Sequence, residues 1–253
     1  MRTVVIQSAA PDHSSTWIGT CVNSVRAWAD ARGWNHVLSG DEFFDWVPHH
    51  LRDKFNAQKP LLSDIARLTW ALSLFAEDAA LDRVVWLDAD VLVFAPDRLA
   101  LGDTISFGVG RQIWVQPDSR GKLKIYRQVH NAILVMHRSS TALPFLKDAA
   151  LKIAERHDGP AAGQLLGPKL ITALHNIASF DVIDAVGMAS PLVVRDIAAG
   201  GGGAVEALRR ETGNILAAVN LCASYRGKAV DGVQLPDTLF ENAVSHLLTT
   251  GNL

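Results

Sequence analysis

The run Val84-Val85-Trp86-Leu87 constrains the fold of this chain more than any other segment. Four successive apolar residues lack the alternation of a half-solvated strand. The run therefore reads as a central strand covered on both faces, the kind found in mainly parallel sheets under helices. The residues before it agree. Residues 3–7 are β-branched and apolar and suit a buried first strand. Residues 17–32 carry Ile18, Val22, Val25 and Ala29 at helical spacing, and Gly33 is placed to end that helix. Residues 35–39 predict a second strand, followed by a loop with Phe43, Phe44 and Trp46. A further helix starts near Pro60, a favoured first-turn residue, with a stripe of Leu61, Ile65, Leu68, Leu72 and Phe75. This succession of strands and helices predicts an α/β fold around a central, mainly parallel sheet.

Beyond Pro96 the pattern thins. Residues 106–110 and 132–137 predict strands, 142–156 a helix, 158–167 a loop rich in Gly, Pro and Ala, and 168–176 another helix. The run Gly200-Gly201-Gly202-Gly203 reads as a plain loop rather than a phosphate cradle, because no helix entry or strand-turn-helix pattern surrounds it. No internal repeat is visible, and 253 residues suit one domain.

Composition narrows the function classes. A hydrophobic content of 49% with 20% charged residues describes an ordinary globular chain. The net charge is −2 and no basic run stands out, which argues against a nucleic-acid partner. No apolar stretch reaches the about 20 residues of a spanning helix, and the N-terminal run is too short for a signal peptide. Cys21 and Cys222 lie far apart without metal-type spacing and read as reduced, buried thiols. The expectation is a soluble cytoplasmic protein.

Chemistry concentrates where the central strand runs out. Asp88-Ala89-Asp90 places two carboxylates there, and ligands bind at the carboxyl edge of open α/β sheets. Such a pair repels itself and calls for a compensating cation. Mg²⁺ and Mn²⁺ prefer carboxylate and phosphate oxygens. Taken alone the triplet also fits a solvated turn. Asp64 and Arg67 lie three apart on the preceding helix, where a surface ion pair is the bland reading.

Two segments together resemble a known family. Arg83-Val84-Val85-Trp86-Leu87-Asp88-Ala89-Asp90-Val91 resembles the DXD segment of metal-dependent glycosyltransferases with the GT-A (Rossmann-like) nucleotide-diphospho-sugar transferase fold. Lys59-Pro60-Leu61-Leu62-Ser63-Asp64-Ile65-Ala66-Arg67 resembles the helix that precedes it. Glycosyltransferase family 32 is the nearest in pattern, with family 8 as neighbour. Asn131-Ala132-Ile133, Gly167-Pro168-Lys169-Leu170-Ile171-Thr172 (with Leu166 where Thr is usual) and Ile6-Gln7 add weaker likenesses, so the match spans about residues 1–180.

That resemblance implies a hexosyltransferase-type enzyme moving a sugar from a UDP- or GDP-linked donor to a glycan, lipid or protein acceptor, with retention of configuration. A single domain is implied, residues 1–100 forming the nucleotide-sugar half and 101–253 the acceptor side. Asp90 would ligate Mn²⁺ or Mg²⁺ directly, and Asp88 the ribose, the metal or both. Asp64, Arg67, Lys59, Gln7, Ala89 and Asn131 would form the donor pocket. His246 is the candidate third metal ligand, although the family's following tryptophan is absent and a histidine on a terminal helix is the alternative. Trp114 is a candidate for sugar stacking, and residues 41–50 and 111–124 are candidate acceptor loops. The adjacent His49 and His50 read as loop residues, and His13, His36, His130, His137, His157 and His175 as surface or satisfied core.

Two other readings compete. Asp88-Ala89-Asp90-Val91 also fits the first motif of haloacid-dehalogenase-type phosphohydrolases, but that class needs a later acid pair, and Asp181 and Asp184 are poorly placed. A non-catalytic sugar-nucleotide or glycan-binding protein on the same scaffold is the third.

Overall fold

A computed structural model describes residues 1–13, 16–159, 161–213 and 215–253. The first half runs β1 (Thr3–Ser8), α1 (Trp17–Ala31), β2 (Asn35–Ser39), a 3-10 segment Asp41–Trp46, α2 (His49–Lys54), α3 (Lys59–Glu77), β3 (Arg83–Leu87) and β4 (Val91–Val93). The second half runs β5 (Phe107–Pro117), β6 (Leu123–His137), α4 (Ala142–Arg156), α5 (Leu170–Ala178), β7 (Asp181–Ile183), β8 (Val186–Met188), α6 (Pro191–Ala198), α7 (Gly203–Thr212), β9 (Ala218–Asn220) and α8 (Asp237–Thr250).

Six strands form the main sheet in the order β2-β1-β3-β6-β5-β7. β6 is antiparallel to both its neighbours, and the other pairings are parallel, so the sheet is mainly parallel. β3 sits between β1 and β6, with Val84 opposite Val4 and Met136, and Trp86 opposite Ile6 and Leu134. All five of its residues are buried, as an unbroken apolar run requires. Val84 and Trp86 face a core shared with α3 and α4, while Val85 and Leu87 face Val25, Trp28 and Ala29 of α1. A second sheet, β4-β9-β8, adjoins a further core built from α6, α7 and α8.

The structure changes several expectations from sequence. The strand expected over 106–110 continues to Pro117, and the one over 132–137 begins at Leu123, so 111–124 is a long antiparallel hairpin instead of a loop. Its turn is held by the Asp118 carboxylate, which accepts hydrogen bonds from the Arg120 and Lys122 amides. Residues 41–50 are likewise ordered into the 3-10 segment and the start of α2, where His49 pairs with Asp53 one turn on. The helix expected at 168–176 is preceded by a wide turn over Leu165–Lys169 and becomes regular at Leu170.

The glycine run is a loop, but it does enter a helix. Gly200, Gly201 and Gly202 carry positive φ, and Gly203 opens α7. Asp196 fills that helix N-terminus, accepting from the amide of Ala204 at 2.7 Å and of Val205 at 3.4 Å. A Cβ at Gly202 would lie 2.3 Å from the Asp196 carboxyl carbon, so the close approach itself demands glycine. A phosphate has no place there. Both cysteines are free and buried. Among the described residues no helix is long and apolar enough to cross a membrane.

Candidate functional site

The Asp88-Ala89-Asp90 turn carries the chain from one sheet to the other, and each aspartate is fixed to a different one. The Asp88 amide donates to Ala132 O on β6 at 2.9 Å, and Gln7 Nε2 on β1 donates to Asp88 O at 3.2 Å. Asp90 O accepts from the Leu221 amide at 3.0 Å, just past β9. The turn is closed by the Val91 amide on Asp88 O at 3.1 Å. Because β3 and β4 are fully buried, the two carboxylates between them have little freedom to turn away from the cleft.

Asp88 is held by its neighbours from below. Its Oδ1 accepts from Trp86 Nε1 at 2.7 Å and lies 3.0 Å from Arg67 Nη1. Arg67 is 6% exposed, stacks its guanidinium 4.7 Å from the Trp86 ring centroid, and donates to Ser63 O and Asn131 O at 3.1 and 2.8 Å. Asp64, 5% exposed, accepts from Asn131 Nδ2 at 2.7 Å and lies 3.5 Å from Arg67 Nη2. This is a buried network rather than the surface ion pair that helical spacing alone suggests. Burial pushes the Asp64 carboxyl up to about 6, partly offset by Arg67 and the Asn131 amide.

Asp90 has a separate set of partners. Oδ1 accepts from Asn220 Nδ2 and Oδ2 from the Ala223 amide, both at 2.7 Å. Enclosure pushes its carboxyl up to about 6; the Asp88 charge adds to this and the two hydrogen bonds oppose it. Asp64, Arg67, Asp88 and Asp90 all line one cleft of about 640 Å³ together with Ala89 and Asn131. They are its charged lining residues among those described: three carboxylates against one guanidinium.

Other sequence candidates take different places. Gln7 is fully buried beneath the turn, where it accepts from His36 Nε2 at 2.9 Å through Oε1, and so supports Asp88 without lining the cleft. Lys59 is exposed at the start of α3 with its ammonium over the Phe44 ring, outside the lining. His246 lies against Gly200 and is also outside it. Among the described residues no group of three or more His, Cys, Asp or Glu is arranged to hold a metal. His130 is a satisfied core histidine, its Nε2 on Val186 O and its Nδ1 accepting from the Ala132 amide, at 3.1 Å each. Asp181 and Asp184 do not line the cleft, and Asp184 pairs with Arg111. The acid pair of a phosphohydrolase is therefore not at Asp88.

Gly167 is explained by contact. A Cβ there would lie 2.5 Å from Asp64 Oδ2 and 2.7 Å from Asn131 Nδ2, so this backbone closes directly onto their hydrogen bond. Of the residues that complete the cleft, sequence reasoning covered Gln112 and Gln116 only within the 111–124 acceptor segment and missed the rest. Asn220, Cys222, Ser224 and Tyr225 come from β9 and the 3-10 turn after it, and Gln112, Gln116, Tyr126 and Gln128 from the hairpin that also carries Trp114. The alternation Gln112-Ile113-Trp114-Val115-Gln116 was the available signal for the hairpin. Asn220 had none, since a three-residue strand leaves no period to detect.

No protein-family model matches the chain, and no curated protein does. Among solved structures, it is similar over 98% of its length, and 99% of the other chain's, to a glycosyltransferase involved in the glycosylation of the major capsid of PBCV-1, with 13% identity and a TM-score of 0.53. Mouse xyloside xylosyltransferase 1 matches 88% of this chain and 98% of its own at 9% identity, with a TM-score of 0.43. With the sheet order above, the first likeness establishes a GT-A-type glycosyltransferase fold.

Proposed function

We propose that this chain is a glycosyltransferase that moves a sugar from a nucleoside diphosphate sugar, UDP- or GDP-linked, to an acceptor. The observation that carries the reading is the charge of the cleft. Three carboxylates and one guanidinium meet at the carboxyl end of β3, and the guanidinium is already committed to Asp88 and Asn131 O. A diphosphate entering such a site gains little from the protein's own charge, whereas a diphosphate carrying a divalent cation complements it. The likeness of residues 59–67 and 83–91 to glycosyltransferase family 32, with family 8 beside it, supports the same reading.

The donor set suits Mn²⁺ or Mg²⁺. Asp88 and Asp90 offer hard oxygens, and both retain lone pairs beyond the hydrogen bonds they accept. Among the described residues no group of three or more His, Cys, Asp or Glu surrounds a metal position, so Asp88 and Asp90 are the residues that would hold the cation. The bound cation supplies compensation for the charge that grows on the departing diphosphate. Around it the chain's own residues position. Arg67 fixes Asp88, Asn220 and the Ala223 amide fix Asp90, and the Asp64–Asn131 pair presents acceptors and donors to sugar hydroxyls. The family likeness favours retention of configuration.

Asp90→Ala is the direct test. Thermal-shift titration with UDP- and GDP-sugars, with and without Mn²⁺, should show a metal-dependent shift in the wild type that the variant loses. Unchanged metal-dependent binding in Asp90→Ala would sink the assignment. Transfer or donor hydrolysis with Mn²⁺ separates an enzyme from a binding protein.

A further inference from the structure

The hairpin β5–β6 presents an ordered face to the cleft. Residues directly opposite across an antiparallel ladder share a face, and here Gln112 is opposite Gln128, Trp114 opposite Tyr126, and Gln116 opposite Lys124. The result is a row of amides, then aromatic rings, then an amide again. On the other face, Ile113 and Val115 are buried in the core with α6 and α7. The burial of that face fixes the register, since a slip of one residue would turn Trp114 inward and Ile113 out.

Tyr225 joins this face to the donor end. It sits in the 3-10 turn Ala223–Tyr225, whose first amide donates to Asp90 Oδ2, and its ring lies 6.1 Å from that of Trp114 at 45°. Trp114 is itself oriented by its indole N–H on Gln116 Oε1 at 3.0 Å. Three rings and three primary amides thus extend the cleft away from the carboxylates.

We infer that this ladder is the acceptor subsite and that the acceptor is an uncharged saccharide, a deepening that rests on the transferase reading above. Sugar rings offer apolar C–H faces that settle on aromatic planes, and ring-edge hydroxyls that both donate and accept, which is what a primary amide matches. Among the described residues, the charged groups lining the cleft are three carboxylates and one guanidinium already paired with Asp88, so an acidic acceptor would meet net negative charge there. Lys124, at the tip of this face, is engaged over the Tyr126 ring, 4.8 Å from its centroid. An apolar acceptor would leave the amides of Gln112 and Gln128, and the free amide nitrogen of Gln116, facing it without partners.

The test is binding by the full chain. Maltotriose, cellotriose, mannotriose, triacetylchitotriose and trigalacturonate are titrated with and without UDP or GDP plus Mn²⁺, followed by saturation-transfer NMR. Nucleotide-sugar thermal shifts are measured in parallel. At least one neutral trisaccharide should bind and trigalacturonate should not. Trp114→Ala should weaken that binding about tenfold, Trp114→Phe should restore most of it, and the nucleotide-sugar shift should persist in both. Gln128→Ala, at an exposed position, gives the same reading if Trp114→Ala does not fold. Preferential binding of trigalacturonate, no neutral binding at millimolar concentration, or unchanged affinity in folded Trp114→Ala and Gln128→Ala overturns the inference. A nucleotide-sugar shift without saccharide binding defeats the acceptor inference alone. Saccharide binding without any nucleotide-sugar shift defeats the transferase reading instead.

Discussion

Asn220 donates its side-chain amide to Asp90 Oδ1 at 2.7 Å, across 130 residues of sequence. The same Asn220 accepts from the Cys222 amide at 2.8 Å through Oδ1, which holds the left-handed Cys222 and aims the Ala223 amide at the other Asp90 oxygen. One asparagine therefore orients both oxygens of the carboxylate proposed to hold the cation. Groups that orient metal ligands cost about 10- to 100-fold in metal affinity when removed. Asn220→Ala should weaken Mn²⁺ binding on that scale, measured by isothermal titration, with the circular dichroism spectrum retained. Wild-type affinity in the variant would make Asn220 a purely structural residue.

Gly167→Ala probes the other half of the site. The added Cβ must displace Asp64 or Asn131, and both are buried and bonded to each other. Overpacking of this kind costs about 1–3 kcal/mol. The variant should melt lower and bind nucleotide sugar more weakly. Because Arg67 links Asp64 and Asn131 to Asp88, Mn²⁺ binding should weaken less than in Asp90→Ala, whose ligand is removed outright.

His246→Ala should leave the metal dependence of nucleotide-sugar binding unchanged. The imidazole packs against Gly200 at the end of α6, and the residues lining the cleft do not include it. A lost metal response in this variant would restore the sequence-based expectation of a third ligand.

His130 should stay neutral down to about pH 4. Burial lowers its pKa from 6.5 to about 4, against the Val186 carbonyl and the Asp88 charge, which raise it. A base depressed on folding favours the folded state above its unfolded pKa. That contribution, about 3 kcal/mol by linkage, is lost as the pH falls from about 6.5 towards 4. Its imidazole resonances, followed by NMR from neutral pH downwards, should remain those of the neutral ring until the protein nears acid unfolding. Titration near pH 6.5 would mean that the ring is open to water.

Up to Leu87 the strands and the long helices α1 and α3 were legible because their signals are local, whereas α2 fell in a segment expected as loop. β2 lies where residues 35–39 predicted it, and α3 carries its apolar stripe from Leu61 to Phe75 as the 3.6-residue period requires. The hairpin was not, because its cleft face is polar and partly solvated, so Gln112, Gln116 and Gln128 resemble loop residues once the pairing partner is out of view. Asp64 and Arg67 show the same gap from the other side. Spacing put them on one helix face, but only the approach of Asn131 and Gly167 turned that face inward and made the pair a buried network.

By itself the sequence determined the α/β layering and the position of Asp88 and Asp90 at the end of a buried strand, since apolar periodicity and strand termination are properties of contiguous residues. Tertiary structure alone decided what surrounds those carboxylates. Asn220 and Ala223 on Asp90, Arg67 and Trp86 on Asp88, and the ring of Tyr225 beside Trp114 meet because two sheets and a hairpin converge on one turn. Contacts of that kind depend on which strands pair, and strand pairing is settled by the burial of whole faces rather than by any short stretch of chain.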